Sequence, residues 1–193
     1  MKHNYIKSML TALLLLCSMV VCSQEFEIDG IKYKKWSTIG AAVIGASSTG
    51  SSWEDSGALV IPSEVTYDGV TYVVKQISEK ALAGLNIKSV TIPNTIDRIA
   101  DFAFEKCYYL TELYIEDGSE MLSLGDNERN NYGGSLCDGL FSDTKLEKVY
   151  IGRNISYGTE LYNGLSPFYG LSSIKQVELA EGVSVRDYQF RDC

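Results

Sequence analysis

The stretch Ile87-x-x-Val90-x-Ile92-Pro93-x-x-Ile96-x-x-Ile99-x-x-x-Ala103-Phe104-x-x-Cys107-x-x-Leu110 decides the fold. Val90-Thr91-Ile92 is a short apolar–polar–apolar alternation, the pattern of a strand with one buried face. The alternation recurs at Leu113-Tyr114-Ile115, Val149-Tyr150-Ile151 and Val177-Glu178-Leu179, with a looser copy at Leu59-Val60-Ile61. An apolar residue stands three positions ahead of each of the first four: Ile87, Leu110, Leu146 and Ile174. A second apolar element recurs upstream, at Ala81-Leu82, Ala103-Phe104, Leu140-Phe141, Phe168-Tyr169 and Gln189-Phe190. From Ile87 to Leu110 the chain advances 23 residues. A unit of that size cannot bury its apolar face alone, but stacked copies make one continuous core with a strand from each copy side by side.

A period in the twenties with an L-x-x-L-x-L centre is the signature of a leucine-rich repeat. The expected fold is therefore a β-rich solenoid with one short parallel strand per repeat and short helical turns between. Two copies are stretched: Ile115 to Ile151 spans 36 residues and Ile151 to Leu179 spans 28. The extra residues fall in 116–139, rich in Gly, Asn, Asp and Ser, and in 154–166. They read as loops, which in solenoids often flank a binding side.

Ahead of the repeats, Phe26 to Tyr33 and Val65 to Tyr72 each place an Asp-Gly pair, Asp29-Gly30 and Asp68-Gly69, between alternating apolar residues. That is a strong hairpin signal. Ala41 to Ile44 reads as a further strand and Ser47 to Ser56 as a polar loop. The expected organisation is a signal segment over 1–23, a β-hairpin cap over 24–75 and repeats over 76–193. In the signal segment Lys2 and Lys7 precede an apolar run from Met9 to Val21, with Ser23 at the cleavage position. The rival reading is a lipid anchor on Cys22. Either way the expected location is secreted or outer cell surface, and no other stretch is apolar enough to span a membrane.

The chain of 193 residues carries a net charge of −8, and loss of the signal removes two lysines and no acid. An acidic chain has no electrostatic footprint for nucleic acid. The one histidine, His3, lies in the signal, so the remainder lacks the commonest general base and metal ligand. No cofactor or catalytic residue is expected, and the chain reads as not an enzyme. Cys107, Cys137 and Cys193 are too few for a disulfide framework. A single Cys107–Cys137 bridge and plain burial are the two readings. Asp117, Asp126, Glu128 and Asp138 offer oxygen ligands in the long loop, but their spacing matches no calcium motif, and solvated charges are the simpler reading.

The 90–110 segment resembles the BspA-type leucine-rich repeat of bacterial surface proteins. Phe26 to Tyr33, Val60-Ile61-Pro62 and Tyr67 to Tyr72 are similar to the usual lead-in of that family, and Tyr150 to Tyr157 and Pro167 to Tyr169 to pieces of its stretched repeats. The resemblance implies a right-handed solenoid at the cell surface. It also implies a partner among host extracellular matrix or plasma proteins, such as fibronectin or fibrinogen, as for some members. It brings no catalytic or metal residues. One departure is that Phe190 to Cys193 aligns with the middle of a repeat, which raises the expectation of self-association through the edge strand at Val177 to Leu179.

On a leucine-rich repeat, residues between the buried strand positions face the concave side. They form two columns: Ser89, Glu112, Lys148, Gln176; and Thr91, Tyr114, Tyr150, Glu178. The candidate ligand-binding residues are Tyr114, Tyr150, Glu112, Lys148, Gln176 and Glu178, because exposed tyrosines are enriched in recognition surfaces. The simpler reading is aromatic cross-strand pairing for sheet stability alone. The function expected is a protein-binding or adhesion module. The alternatives are a self-assembling structural protein and, behind it, an extracellular carbohydrate-active enzyme.

Overall fold

The chain starts with two tight turns that the sequence dictates. Asp29 and Gly30 are both left-handed, at φ 48° and 74°, and so are Asp68 and Gly69, at 53° and 73°. This turn geometry matches the twist of the flanking strands. It joins β1 (Glu25–Ile28) to β2 (Ile31–Lys35) and β5 (Glu64–Tyr67) to β6 (Val70–Ile77), each as an antiparallel pair. β3 (Gly40–Ala46) lies between the hairpins, antiparallel to β2 and parallel to β6. Phe26 stacks on Tyr67 at 4.4 Å and on Tyr33 at 5.3 Å, so aromatic faces lock one hairpin to the other. The computed structural model describes residues 24–125, 139–157, 166–185 and 189–193. The expected signal segment, and Asp126, Glu128, Cys137 and Asp138 of the long loop, lie outside these residues.

The repeats then stack. β4 (Ala58–Val60), β7 (Ser89–Ile92), β9 (Glu112–Ile115), β11 (Lys148–Ile151) and β13 (Gln176–Leu179) form one parallel sheet in the order β13-β11-β9-β7-β4. From β7 to β13 the register holds without a slip: Val90 pairs with Leu113, Leu113 with Val149, and Val149 with Val177. A slip of one residue would turn the buried column to solvent, so the alternation itself fixes the register. Val90, Ile92, Leu113, Ile115, Val149 and Ile151 are all buried. On the edge strand β13, Val177 and Leu179 are 37% exposed.

Where one strand per repeat was expected, the three coils that begin at β7, β9 and β11 carry two strands each. β8 (Arg98–Ile99), β10 (Leu122–Leu124) and β12 (Ile155–Ser156) continue in parallel from β6, and extend the cap sheet along these three coils. Ile99, Leu122, Leu124 and Ile155 point into the core. Strands of two or three residues are too short to show an alternation, so the sequence presents them only as isolated apolar positions.

The third side of each coil is a turn. Here the structure departs from the short helical turns that were expected, since no helix forms among the described residues. The reason is in the backbone. Two residues after the buried Leu82, Phe104, Phe141 and Phe168, and after the partly buried Phe190, comes a left-handed residue: Gly84, Lys106, Asp143, Gly170 and Asp192. Lys80, Phe102 and Gly139 are left-handed two residues before. Left-handed residues do not continue a right-handed helix. The turns join coil to coil instead, as Leu82 N–H donates to Ala103 O at 3.0 Å and Phe104 N–H to Leu140 O at 3.0 Å. Between the turns and the sheets, Phe104, Phe141, Phe168 and Phe190 stack in sequence at 5.3, 5.5 and 5.0 Å. Burying each ring fully contributes about 1.5–3 kcal/mol.

Candidate functional site

The outward face of the β4–β13 sheet carries the residues that alternate with the core positions. Pairing places Thr91, Tyr114, Tyr150 and Glu178 in one line across four strands, and Ser89, Glu112, Lys148 and Gln176 in the next. Together they line a groove of about 350 Å³. All six candidate residues therefore meet on one surface.

Tyr114 and Tyr150 stack with centroids 4.5 Å apart and planes within 7° of parallel. That separation is close to the spacing of neighbouring strands, so each ring stands directly beside its register partner. The Tyr150 hydroxyl donates to Asp117 Oδ1 at 2.6 Å. This bond to a carboxylate raises the Tyr150 pKa from 10.0 to about 12, with smaller upward contributions from burial and from the charge of Asp117. Tyr150 is thus a held donor, while Tyr114 is 44% exposed. In the second line, Lys148 Nζ reaches Glu112 Oε1 at 2.9 Å, and this hydrogen bond raises the lysine pKa. Both side chains are more than half exposed, so the pair is weak and exchangeable. Gln176 Nε2 donates to Glu178 Oε1 at 2.8 Å.

The rim of the groove depends on a residue that the sequence reading passed over. Arg153 is 1% exposed, the largest of the fully buried side chains. Its Nη1 donates to Asn94 O at 3.0 Å and its Nη2 to Pro93 O at 3.1 Å. It reaches from the third coil to the first, past the second. Burial lowers its pKa, and the nearby carboxylates of Asp97 and Glu116 act in the opposite direction. The opening it fills comes from unequal segment lengths. The register of β8, β10 and β12 makes Asp97, Leu122 and Ile155 equivalent. Four residues separate Ile92 from Asp97, six separate Ile115 from Leu122, and three separate Ile151 from Ile155. The longer second segment bows outward and leaves Met121 56% exposed, whereas Ile96 in the first coil is fully buried. Gly118 lies over the arginine, where a Cβ would come within 3.1 Å of Arg153 Cδ.

This strap is linked to the tyrosines. Asn94 N–H donates to Glu116 Oε2 at 3.1 Å and Asn94 Nδ2 to Asp117 O at 3.3 Å. Asp117 in turn accepts from Tyr150. Arg153 therefore acts on the groove through Asn94 and Asp117. A signal for it existed in the unequal segment lengths, together with glycine at 118 and an arginine flanked by core positions.

Cys107 is buried and its thiol donates to Leu82 O at 3.1 Å. Burial raises its pKa to about 11, so it is held as the thiol at neutral pH. Its expected partner Cys137 lies outside the described residues. Of the loop carboxylates offered for calcium, only Asp117 is described, and it is engaged by Tyr150.

The model of the BspA type leucine rich repeat region matches residues 70–193 in six copies, and the chain belongs to that family. Among solved structures, it is similar to a leucine-rich repeat protein from Bacteroides capillosus, with 18% identity and a TM-score of 0.56 over 80% of this chain and 97% of that one. It is also similar to the pneumococcal vaccine antigen PcpA, with 16% identity and a TM-score of 0.54, over 85% of this chain but 40% of the antigen. These likenesses bear on the fold. No curated protein matches the chain.

Proposed function

We propose that this BspA-type leucine-rich repeat chain is an exported binding module that holds a segment of an extracellular protein against the outward face of its five-stranded parallel sheet. The Tyr114–Tyr150 stack carries this reading. It stands on the solvent side of a sheet whose core side is already complete, and it borders a groove of about 350 Å³. Rigid amphipathic rings with few rotatable bonds lose little entropy on binding, which suits them to recognition. The residues expected to form a signal peptide, cleaved near Ser23 or lipidated at Cys22, support a place outside the cytoplasm. So does the antigen role named for PcpA. No helix among the described residues is long and apolar enough to cross a membrane.

The groove favours binding over catalysis. Its two carboxylates are spent on neighbours, Glu112 on Lys148 and Glu178 on Gln176, rather than arranged around a reacting centre. The partner class proposed is host matrix or plasma protein. The test is to present purified fibronectin, fibrinogen and related proteins to the immobilised chain, and to compare it with Tyr114→Ala plus Tyr150→Ala. A partner held by the wild type and lost by the variant, with an unchanged far-UV spectrum and a thermal transition lowered by only about 2–8 °C, supports the groove. Undiminished binding by the variant removes it.

A further inference from the structure

The outward row Val60, Thr91, Tyr114, Tyr150, Glu178 has a step in it. On the β4–β7 side the side chains are short: Thr91, with Ser89 and Ala58 beside it. On the β9–β11 side they are long: Tyr114 and Tyr150, with Glu112 and Lys148 beside them. Tyr150 covers one face of the Tyr114 ring at 4.5 Å. The rings are nearly parallel and sit on register partners, so the other face of Tyr114 looks back over Thr91 toward β4. That face is an open wall about one ring high, with a hydroxyl-bearing floor.

The charge around this shelf is acidic on balance, although the exposed Lys88 precedes Ser89 at its β4 end. Glu112 shares the strand of Tyr114, Glu178 closes the far end of the row, and Glu116 and Asp117 follow at the rim. Among the described residues Lys148 is the one cation that lines the groove, and it is already occupied by Glu112. The chain as a whole carries −8. A partner that meets this surface is selected for positive charge.

Resting on the binding role proposed above, we infer that the shelf on Thr91 takes an arginine side chain from an extended, basic polypeptide segment of the partner. The planar guanidinium stacks on the open face of Tyr114, and its N–H groups are accepted by the Thr91 and Ser89 hydroxyls and by Glu112, whose exposed bond to Lys148 exchanges readily. A flat, weakly hydrated cation fits such a slot, whereas the compact, strongly hydrated ammonium of lysine gains less from an exposed ring and cannot lie flat against it.

The full-length chain is titrated with a synthetic peptide alternating arginine and serine, and with the same peptide carrying lysine or the neutral isostere citrulline. Saturable binding of the arginine peptide is expected, falling with added salt. Citrulline and lysine are expected to weaken it by about tenfold or more. Tyr114→Ala removes the wall, and Thr91→Tyr fills the shelf with a residue that strands accept. Both sites face solvent, so both variants are expected to lose the peptide while keeping the wild-type far-UV spectrum and a thermal transition within about 2–8 °C of the wild type. Equal binding of the lysine or citrulline peptide overturns the inference. So does retention of affinity in both variants, or a neutral oligosaccharide that takes the site in place of the peptide. If the arginine peptide fails while the double tyrosine variant still loses a matrix protein, the groove stands and only the arginine assignment falls. If the double variant keeps its protein partner, the groove itself is wrong.

Discussion

Two aromatic ladders run along this molecule at the same repeat spacing. Inside the turns, Phe104, Phe141, Phe168 and Phe190 stack at 5.0–5.5 Å with planes within 16° of parallel. Outside the sheet, Tyr114 and Tyr150 stack at 4.5 Å and 7°. The geometry is alike because repetition alone brings equivalent side chains face to face. The setting is opposite: Phe104, Phe141 and Phe168 are at most 2% exposed, and Tyr114 is 44% exposed. Stacking is therefore no guide to role in a solenoid. What separates a stabilising ladder from a recognition surface is whether the last ring face meets the core or water.

The sharpest way to break this contrast is at the inner ladder. Phe141→Ala removes the ring between two stacked neighbours and is expected to cost about 3–5 kcal/mol in denaturant unfolding. A loss below about 1 kcal/mol would show that the inner ladder is not core. Next in size is Arg153→Met, which keeps most of the volume but deserts the carbonyls of Pro93 and Asn94. Leaving the buried Pro93 acceptor unpaired costs about 1–3 kcal/mol, and binding at Tyr150 should weaken as well because Asn94 no longer braces Asp117. Unchanged stability and binding would mean that the strap does not form in solution. At the outer ladder, Tyr114→Ala with Tyr150→Ala is expected to lower stability by only about 1 kcal/mol while abolishing partner binding. A stability loss matching that of Phe141→Ala would erase the distinction between the ladders.

The smallest effect is a titration. The Tyr150 hydroxyl is held in its protonated form by Asp117, with its pKa raised from 10.0 to about 12. A raised pKa means that the bond's contribution is complete below pH 10.0 and is lost as pH rises through about 12. Tyrosinate absorbance should show Tyr150 titrating late beside Tyr33, whose pKa is raised by burial. Asp117→Asn should bring one of these late groups back toward the ordinary tyrosine value, and a titration curve that this substitution leaves unchanged would remove the Tyr150–Asp117 bond.

Much of this architecture was legible in the chain. The alternation at Val90-Thr91-Ile92 and its copies defines the strands, their register and the outward column that unites Tyr114 with Tyr150. The Asp-Gly pairs define both hairpins. The second sheet was not legible, because Arg98–Ile99 and Ile155–Ser156 are too short to carry a period and acquire strand geometry only from their stacked neighbours. The turns were misread as helical because the spacing of Ala103-Phe104, Cys107 and Leu110 suits one helical turn, while the left-handed residues at 102 and 106 carry no marker such as glycine. Arg153 escaped notice because a charged residue between core positions normally signals solvent. Only the length mismatch among three coils reveals the opening that it fills.

The arginine strap also bears on how the array comes apart. A stack in which each unit touches only its neighbours behaves as a one-dimensional chain, able to fray coil by coil from an end. Arg153 ties the third coil to Pro93 and Asn94 of the first, across the second. That is a next-nearest-neighbour coupling, and it should make these three coils, two of which bear the tyrosines, exchange and unfold as one cooperative block. Under a pulling force applied along the stack, as on a tethered protein holding a large partner, the groove should yield in a single step rather than peel open.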